Sequence, residues 1–163
     1  MMEDKRSQYE LLCAQVKSLM EGESNVMGVL ANITAAMHDT FPDTFFWVGF
    51  YFVKDDELQL GPFQGPVACY HIPFGKGVCG TAWKERKTLI VPDVEAFPGH
   101  IACSSLSRSE IVVPIFDEDQ RVLGVIDIDS KNLNSFDKTD QEYLEKIASI
   151  VANVGINLSF CPN

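Results

Sequence analysis

Two pairs of apolar, β-branched runs, each broken by a short acidic turn, decide most of what this chain can become. Phe45 to Val53 is rich in aromatic and β-branched residues, and Asp55-Asp56 turns it into a second run near Glu57 to Leu60. Glu110 to Phe116 and Val122 to Asp129 repeat the arrangement around Asp117-Glu118-Asp119-Gln120. Such side chains suit a pleated, half-buried surface, and turns this short join antiparallel neighbours. Helical periodicity brackets both pairs. Leu11, Leu12, Val16, Leu19 and Met20 recur at helical spacing between Gln8 and Met20. A second helix carries Val26, Val29, Leu30, Ile33 and Met37 on one face, with Ser24 or Asn25 as its N-cap. A closing helix runs from about Lys138 to Asn157, with Leu144, Ile147, Ala148 and Val151 inward and Thr139 with Glu142 as a capping box. Helices at both ends and antiparallel strands between them make an α+β sandwich.

The chain has 163 residues, 46% of them hydrophobic and 22% charged, which suits a single domain over 1–163 with its own core. The N-terminal helix is expected over about 6–20 and the core over about 25–157. A net charge of −10 argues against a nucleic-acid partner, since phosphate binding needs a basic surface. No apolar run approaches the roughly 20 residues that span a bilayer. The charged start Met1-Met2-Glu3-Asp4-Lys5-Arg6 is unlike a signal peptide, so a cytoplasmic protein with no membrane partner is expected.

Five cysteines, none in a CxxC spacing, disfavour a structural disulfide framework in a reducing compartment. Cys79 lies in Gly75-Lys76-Gly77-Val78-Cys79-Gly80, and Cys103 in Gly99-His100-Ile101-Ala102-Cys103. Glycines give a thiol few side-chain walls to pack against, so Cys79 is expected to expose its sulfur on a turn, ahead of a helix from Thr81 to Lys87. Cys103 falls in the long irregular stretch Pro92 to Ser109, and loops of that length are usually functional. Cys69 sits within Val67 to Ile72, which reads as a short strand. By itself each cysteine also reads as a small packed hydrophobe. Cys13 and Cys161 lie outside the glycine-rich contexts. His71 and His100 raise the question of a metal, but only Cys69 with His71 and His100 with Cys103 approach the close ligand pairs of structural zinc, and no metal is expected. His100 beside Cys103 is placed to lower the thiol pKa if the side chains meet.

The carboxylates are more telling. Asp127 and Asp129 interrupt a strand otherwise made of Val, Leu, Gly and Ile, and period-two geometry puts both on one face. That face is either solvated or the floor of a pocket, where paired carboxylates bind an ammonium group or deliver a proton. Glu110, just after the long loop, is placed to join them. Trp47 and Tyr51 alternate on one face of the first strand, as core or as walls of an apolar slot.

These stretches together resemble a known family. Gly61-Pro62-Phe63-Gln64-Gly65 with Cys69, Gly75 to Ala82, Gly99 to Cys103, Ser109-Glu110-Ile111-Val112-Val113-Pro114 and Gly124-Val125-Ile126-Asp127-Ile128-Asp129-Ser130 are similar to the GAF-domain enzymes called free methionine-R-sulfoxide reductases. The resemblance runs from about Asn32 to Ala152. It implies a GAF-like fold, with a six-stranded antiparallel sheet, N- and C-terminal helices packed on one face, and a loop-covered site on the other. It implies reduction of free L-methionine-(R)-S-oxide to L-methionine. Cys103 matches the catalytic nucleophile, Cys69 the main resolving cysteine and Cys79 a third thiol able to enter disulfide exchange. Glu110, Asp127 and Asp129 match the substrate-binding and proton-handling carboxylates, and Trp47 and Tyr51 the aromatic lining. No bound cofactor is implied. The external reductant would be thioredoxin, with NADPH and its reductase, or a similar dithiol.

The chemistry suits the residue types. A sulfoxide sulfur resists attack until its oxygen is protonated, so an acid must stand beside the thiolate. Two rival readings remain at this point: a non-enzymatic GAF sensor of a small molecule, and a protein using its thiols only as a redox switch. Terminal amphipathic helices on such domains also suit a homodimer.

Overall fold

The computed structural model describes residues 4–101 and 103–154. Two helices open the chain, α1 (Lys5–Met20) and α2 (Val26–Thr40). The strands β1 (Trp47–Lys54), β2 (Glu57–Gln64) and β3 (His71–Pro73) lead to helix α3 (Gly77–Glu85). Then come β4 (Leu89–Val91), a single 3-10 turn at Val94–Ala96, β5 (Ser109–Phe116), β6 (Val122–Ser130) and α4 (Lys138–Ala152). The strands form one six-stranded sheet in the order β3-β2-β1-β6-β5-β4, and every pairing is antiparallel. Both expected hairpins are present. In the first, Asp55 and Asp56 take φ of 52° and 61°, the left-handed conformation that a two-residue hairpin turn needs.

Alternation along the central strands divides the interior in two. Val48, Phe50 and Phe52 of β1, Ile111, Val113 and Ile115 of β5, and Ile126 and Ile128 of β6 point to one face. They bury against Leu12 and Val16 of α1, Leu30, Ile33 and Met37 of α2, and Leu144, Ile147 and Val151 of α4. Trp47, Tyr51, Val112 and Val125 point to the other face, where Val78, Cys79 and Ala82 of α3 cover them. The terminal helices thus hold one side of the sheet, while α3 and the loops shape the other.

Asn25 is the N-cap of α2, its side chain accepting from the Gly28 N–H at 3.0 Å. The capping box of α4 lies two residues before the expected one: Asp137 accepts from Asp140 N–H while the Asp140 side chain accepts from Asp137 N–H. Asp140 is 1% exposed because it does more than cap. The Tyr9 hydroxyl donates to its Oδ1 at 2.5 Å and Lys5 pairs with its Oδ2, fastening α1 to the start of α4.

Three local expectations are corrected. Residues 67–70 are not strand, and β3 begins only at His71. The backbone instead hangs from two other bonds, Leu60 N–H to Tyr70 carbonyl and Tyr51 hydroxyl to Cys69 carbonyl, both 3.0 Å. Helix α3 starts four residues earlier than Thr81, so Cys79 belongs to its first turn. That turn packs directly on the sheet, and Cys79 is 4% exposed instead of projecting from a loop. The α4 helix is described as far as Ala152. The expected residues beyond 154, and Cys161, lie outside the described part.

Candidate active site

Strand register assembles the floor of the site from distant parts of the sequence. Glu110 of β5 lies opposite Asp129 of β6, and Asp129 lies opposite Trp47 of β1, making one row across three strands. Asp127 occupies the next row, between Val112 and Gly49. Tyr51 follows on the same strand face, and its ring stacks on Trp47 with centroids 5.9 Å apart. These side chains, with Cys79, His100, Ile101 and Cys103, line one cleft.

Gly49 is what lets the indole lie across the floor. A Cβ there would stand 2.4 Å from Phe63 Cβ and 2.7 Å from Trp47 Cη2. Phe63 also stacks on the indole, centroids 5.1 Å apart, and Trp47 Nε1–H donates to the Pro66 carbonyl at 3.0 Å. The ring is therefore fixed by packing and by its polar edge.

The acidic residues are withdrawn from water. Glu110 is 5% and Asp127 6% exposed, and Asp129 is half-buried. Burial pushes all three carboxyls above their ordinary range, and the neighbouring Asp127 charge pushes Glu110 and Asp129 further. At Asp127 burial is opposed by hydrogen bonding with Glu110 and Cys79 and by the nearby His100. Asp127 is thus pulled in both directions, while burial and the Asp127 charge act together on Glu110 and Asp129. Among the described residues, Asp127 Oδ1 has no hydrogen-bond partner although it is buried.

Cys69 and Cys103 form a disulfide, with Cα atoms 5.6 Å apart. Cys103 lines the cleft yet remains exposed, and Cys69 is half-buried. Tyr51 thus walls the cleft and also holds the carbonyl of Cys69. Cys79 is a free thiol with Sγ 4.0 Å from Glu110 Oε2. Burial and then the carboxylates push its pKa well up, so it stands protonated in this state. Cys13 is free and half-buried on α1, against the opposite core.

His100, read from sequence only as a neighbour of Cys103, has Nε2 3.9 Å from Glu110 Oε1, and its burial holds the imidazole pKa down. The register that brings position 110 to the cleft is the missing signal. Cys79, Glu110 and Asp127 also present ligand atoms within 4.8 Å of one another, the spacing a metal ion would require. Sequence spacing concealed this trio, since its members come from three separate elements. The same closeness allows the groups to share protons.

Residues 23–154 match the family described as GAF domain. A GAF domain-containing protein A from Dictyostelium discoideum is 56% identical over 91% of this chain and 93% of its own length. The free methionine-R-sulfoxide reductase of Saccharomyces cerevisiae is 45% identical over 87% of this chain and 82% of its own length. The chain belongs to the free methionine-R-sulfoxide reductase family of GAF domains. The family's fold extends over nearly all of it. The Neisseria meningitidis free methionine-R-sulfoxide reductase, solved in complex with its substrate, superposes with a TM-score of 0.90 at 49% identity. That likeness covers 94% of this chain and 92% of the other.

Proposed function

We propose that this protein reduces free L-methionine-(R)-S-oxide to L-methionine, with Cys103 as nucleophile and Cys69 as resolving thiol. The observation that carries the reading is the Cys69–Cys103 disulfide beside a cleft floored by three carboxyl groups. The names and extents of the matching relatives point the same way.

The Cys103 thiolate attacks the sulfoxide sulfur while a carboxylic acid protonates the departing oxygen. Glu110 and Asp129 suit the acid, since burial keeps them protonated, and Asp127 suits the anion that meets the substrate ammonium. The protonated oxygen passes to the Cys103 sulfur as its bond to the substrate sulfur breaks, so methionine leaves with its sulfur reduced and Cys103 is left as a sulfenic acid. The Cys69 thiol then displaces water from Cys103 and closes the disulfide, the state seen here. Trp47 and Tyr51 wall the thioether end of the substrate. Cys79 starts as a protonated neighbour of Glu110 and becomes a relay only when a loop brings a disulfide sulfur to it.

Two electrons must return from outside. A dithiol such as thioredoxin, recharged by NADPH and its reductase, attacks the disulfide, and no bound cofactor takes part. This reading assigns the enzyme to the cytoplasm, whose reducing conditions keep such a dithiol available. No helix among the described residues is long and apolar enough to cross a membrane. Exposed Leu11 on α1 suits the homodimer expected of the terminal helices.

The test is a thioredoxin-coupled NADPH assay with the R and S sulfoxides of free and N-acetylated methionine. Oxidation of NADPH is expected with the free R epimer alone, and Cys103→Ser is expected to abolish it. Full activity in Cys103→Ser would overturn the assignment.

A further inference from the structure

The floor of the cleft gathers more acidic groups than its lining answers. Glu110, Asp127 and Asp129 line it, and no Lys or Arg does so among the described residues. Buried carboxylates of this kind require either protons or a cation. The ammonium of an amino acid is one such cation. In its absence the same groups are open to a compact divalent ion.

Four side chains are placed to hold one. The Cys79 Sγ, on the first turn of α3, lies 4.0 Å from Glu110 Oε2 on β5. Asp127 of β6 completes a trio whose ligand atoms all lie within 4.8 Å of one another, each member buried. His100 comes from the loop between the 3-10 turn and β5, with Nε2 3.9 Å from Glu110 Oε1. Around a tetrahedral zinc, ligand atoms stand about 3.3–3.5 Å apart, so contraction by less than about 1 Å closes the set. A second observation points to a ligand here. Asp127 is 6% exposed, and its Oδ1 has no partner among the described residues although the side chain hydrogen-bonds with Glu110 and Cys79. A thiolate, an imidazole and two carboxylates make a mixed donor set, which suits Zn2+. Calcium and magnesium take oxygen ligands instead. The four donors come from four separate segments, so sequence spacing alone does not announce a metal.

We propose that Cys79, Glu110, Asp127 and His100 bind Zn2+, and that the bound ion shuts the cleft to substrate. Binding displaces protons from the thiol and the carboxyl groups to bulk water, so affinity rises with pH. The ion takes up Asp127 and Glu110, which the proposed reaction needs for the ammonium and for proton delivery. Zinc and substrate therefore exclude one another. The inhibition rests on the reading of the protein as a methionine sulfoxide reductase, whereas the binding of the ion does not.

The test titrates the full chain with Co2+, a coloured stand-in for zinc, in the form whose disulfide withholds Cys69 and Cys103 as ligands. One equivalent is expected to give a near-ultraviolet thiolate-to-cobalt band that Zn2+ removes and that Cys79→Ser lacks. Asp127→Asn and His100→Ala are expected to weaken binding at least about tenfold, since even outer-shell changes cost that much. If Cys79→Ser does not fold, zinc-edge X-ray absorption of the wild-type protein decides the point. One sulfur at about 2.3 Å is expected, with nitrogen and oxygen ligands at about 2.0–2.2 Å. No thiolate band, an equal band in Cys79→Ser, or a zinc shell without sulfur would overturn the site. For turnover, methionine release from the R sulfoxide is measured in a single turnover of the reduced protein, with and without Zn2+. Zinc at about ten times its Kd is expected to slow release about tenfold in the wild type, relieved by more sulfoxide. In Cys79→Ser it is expected to have no effect, whatever the variant's own rate. Equal inhibition of both would place the zinc on Cys69 and Cys103 and overturn the shutting of the cleft. If neither protein releases methionine, the proposed function falls, and the cobalt titration still decides the site.

Discussion

Substituting Gly49 by alanine should separate the shape of the pocket from the chemistry of its thiols. The added methyl would lie 2.4 Å from Phe63 Cβ, well inside contact distance, and 2.7 Å from the Trp47 ring. Phe63 Cβ is attached to the backbone of β2 and cannot swing aside. The indole is confined by its bond to the Pro66 carbonyl and by the stack on Phe63. Relief requires the ring or the strand to move by about 1 Å, and overpacking of this kind costs about 1–3 kcal/mol. At this chain length each kcal/mol lowers Tm by roughly 2–4 °C, so a drop of about 2–12 °C is expected by calorimetry. Because Trp47 lies in the row of Asp129 and Glu110, its displacement should also reach the substrate. Misplacement on that scale costs up to about 100-fold in kcat/KM. Disulfide closure by hydrogen peroxide, which needs only Cys103 and Cys69, should keep its wild-type rate. An unchanged Tm together with an unchanged KM would refute the argument that Gly49 exists to make room for the indole.

Tyr51→Phe deletes the hydroxyl that holds the Cys69 carbonyl. A bond of this type contributes about 0.5–1.5 kcal/mol, so trapping of the Cys103 sulfenic acid should show disulfide closure slowed by roughly 2- to 12-fold. Tyr9→Phe leaves the buried Asp140 with one fewer donor, and urea unfolding should show a loss of about 1.5–3 kcal/mol at unchanged kcat. The pH dependence follows from Glu110 and Asp129, whose folded pKa values are raised by burial. Their contribution to stability is complete below the unfolded carboxyl pKa, near 4, and is lost as pH rises through the folded values. Glu110→Gln should flatten that decline in urea titrations at successive pH values, and should lower kcat about 10²- to 10⁴-fold if Glu110 is the acid.

The parts legible in the sequence were those governed by local geometry. Period-two alternation placed Trp47 with Tyr51, and Asp127 with Asp129, on shared strand faces. The acidic turns at Asp55-Asp56 and after Phe116 marked both hairpins. What alternation does not state is which strands adjoin. The row joining Glu110, Asp129 and Trp47 depends on the pairing of β1 with β6, close to eighty positions apart. Cys79 was misjudged because its flanking glycines suggested a turn. They instead allow close packing: a Cβ on Gly80 would lie 2.5 Å from the Pro73 carbonyl oxygen. The capping box was displaced because Asp137 and Asp140 answer to Lys5 and Tyr9 as well as to their own helix.

The pairing of β1 with β6 has a consequence for how the enzyme comes into being. Trp47 and Tyr51 arrive with the first hairpin, Glu110, Asp127 and Asp129 with the second, and the two meet only along that seam. Neither hairpin holds a fraction of the activity in advance. Loop closure over such a span comes late in folding, since its entropy must be met before the contact returns anything. Catalysis by a newly made chain should therefore begin abruptly, when the seam closes. The onset of turnover would time that long-range event in a refolding experiment without any added probe.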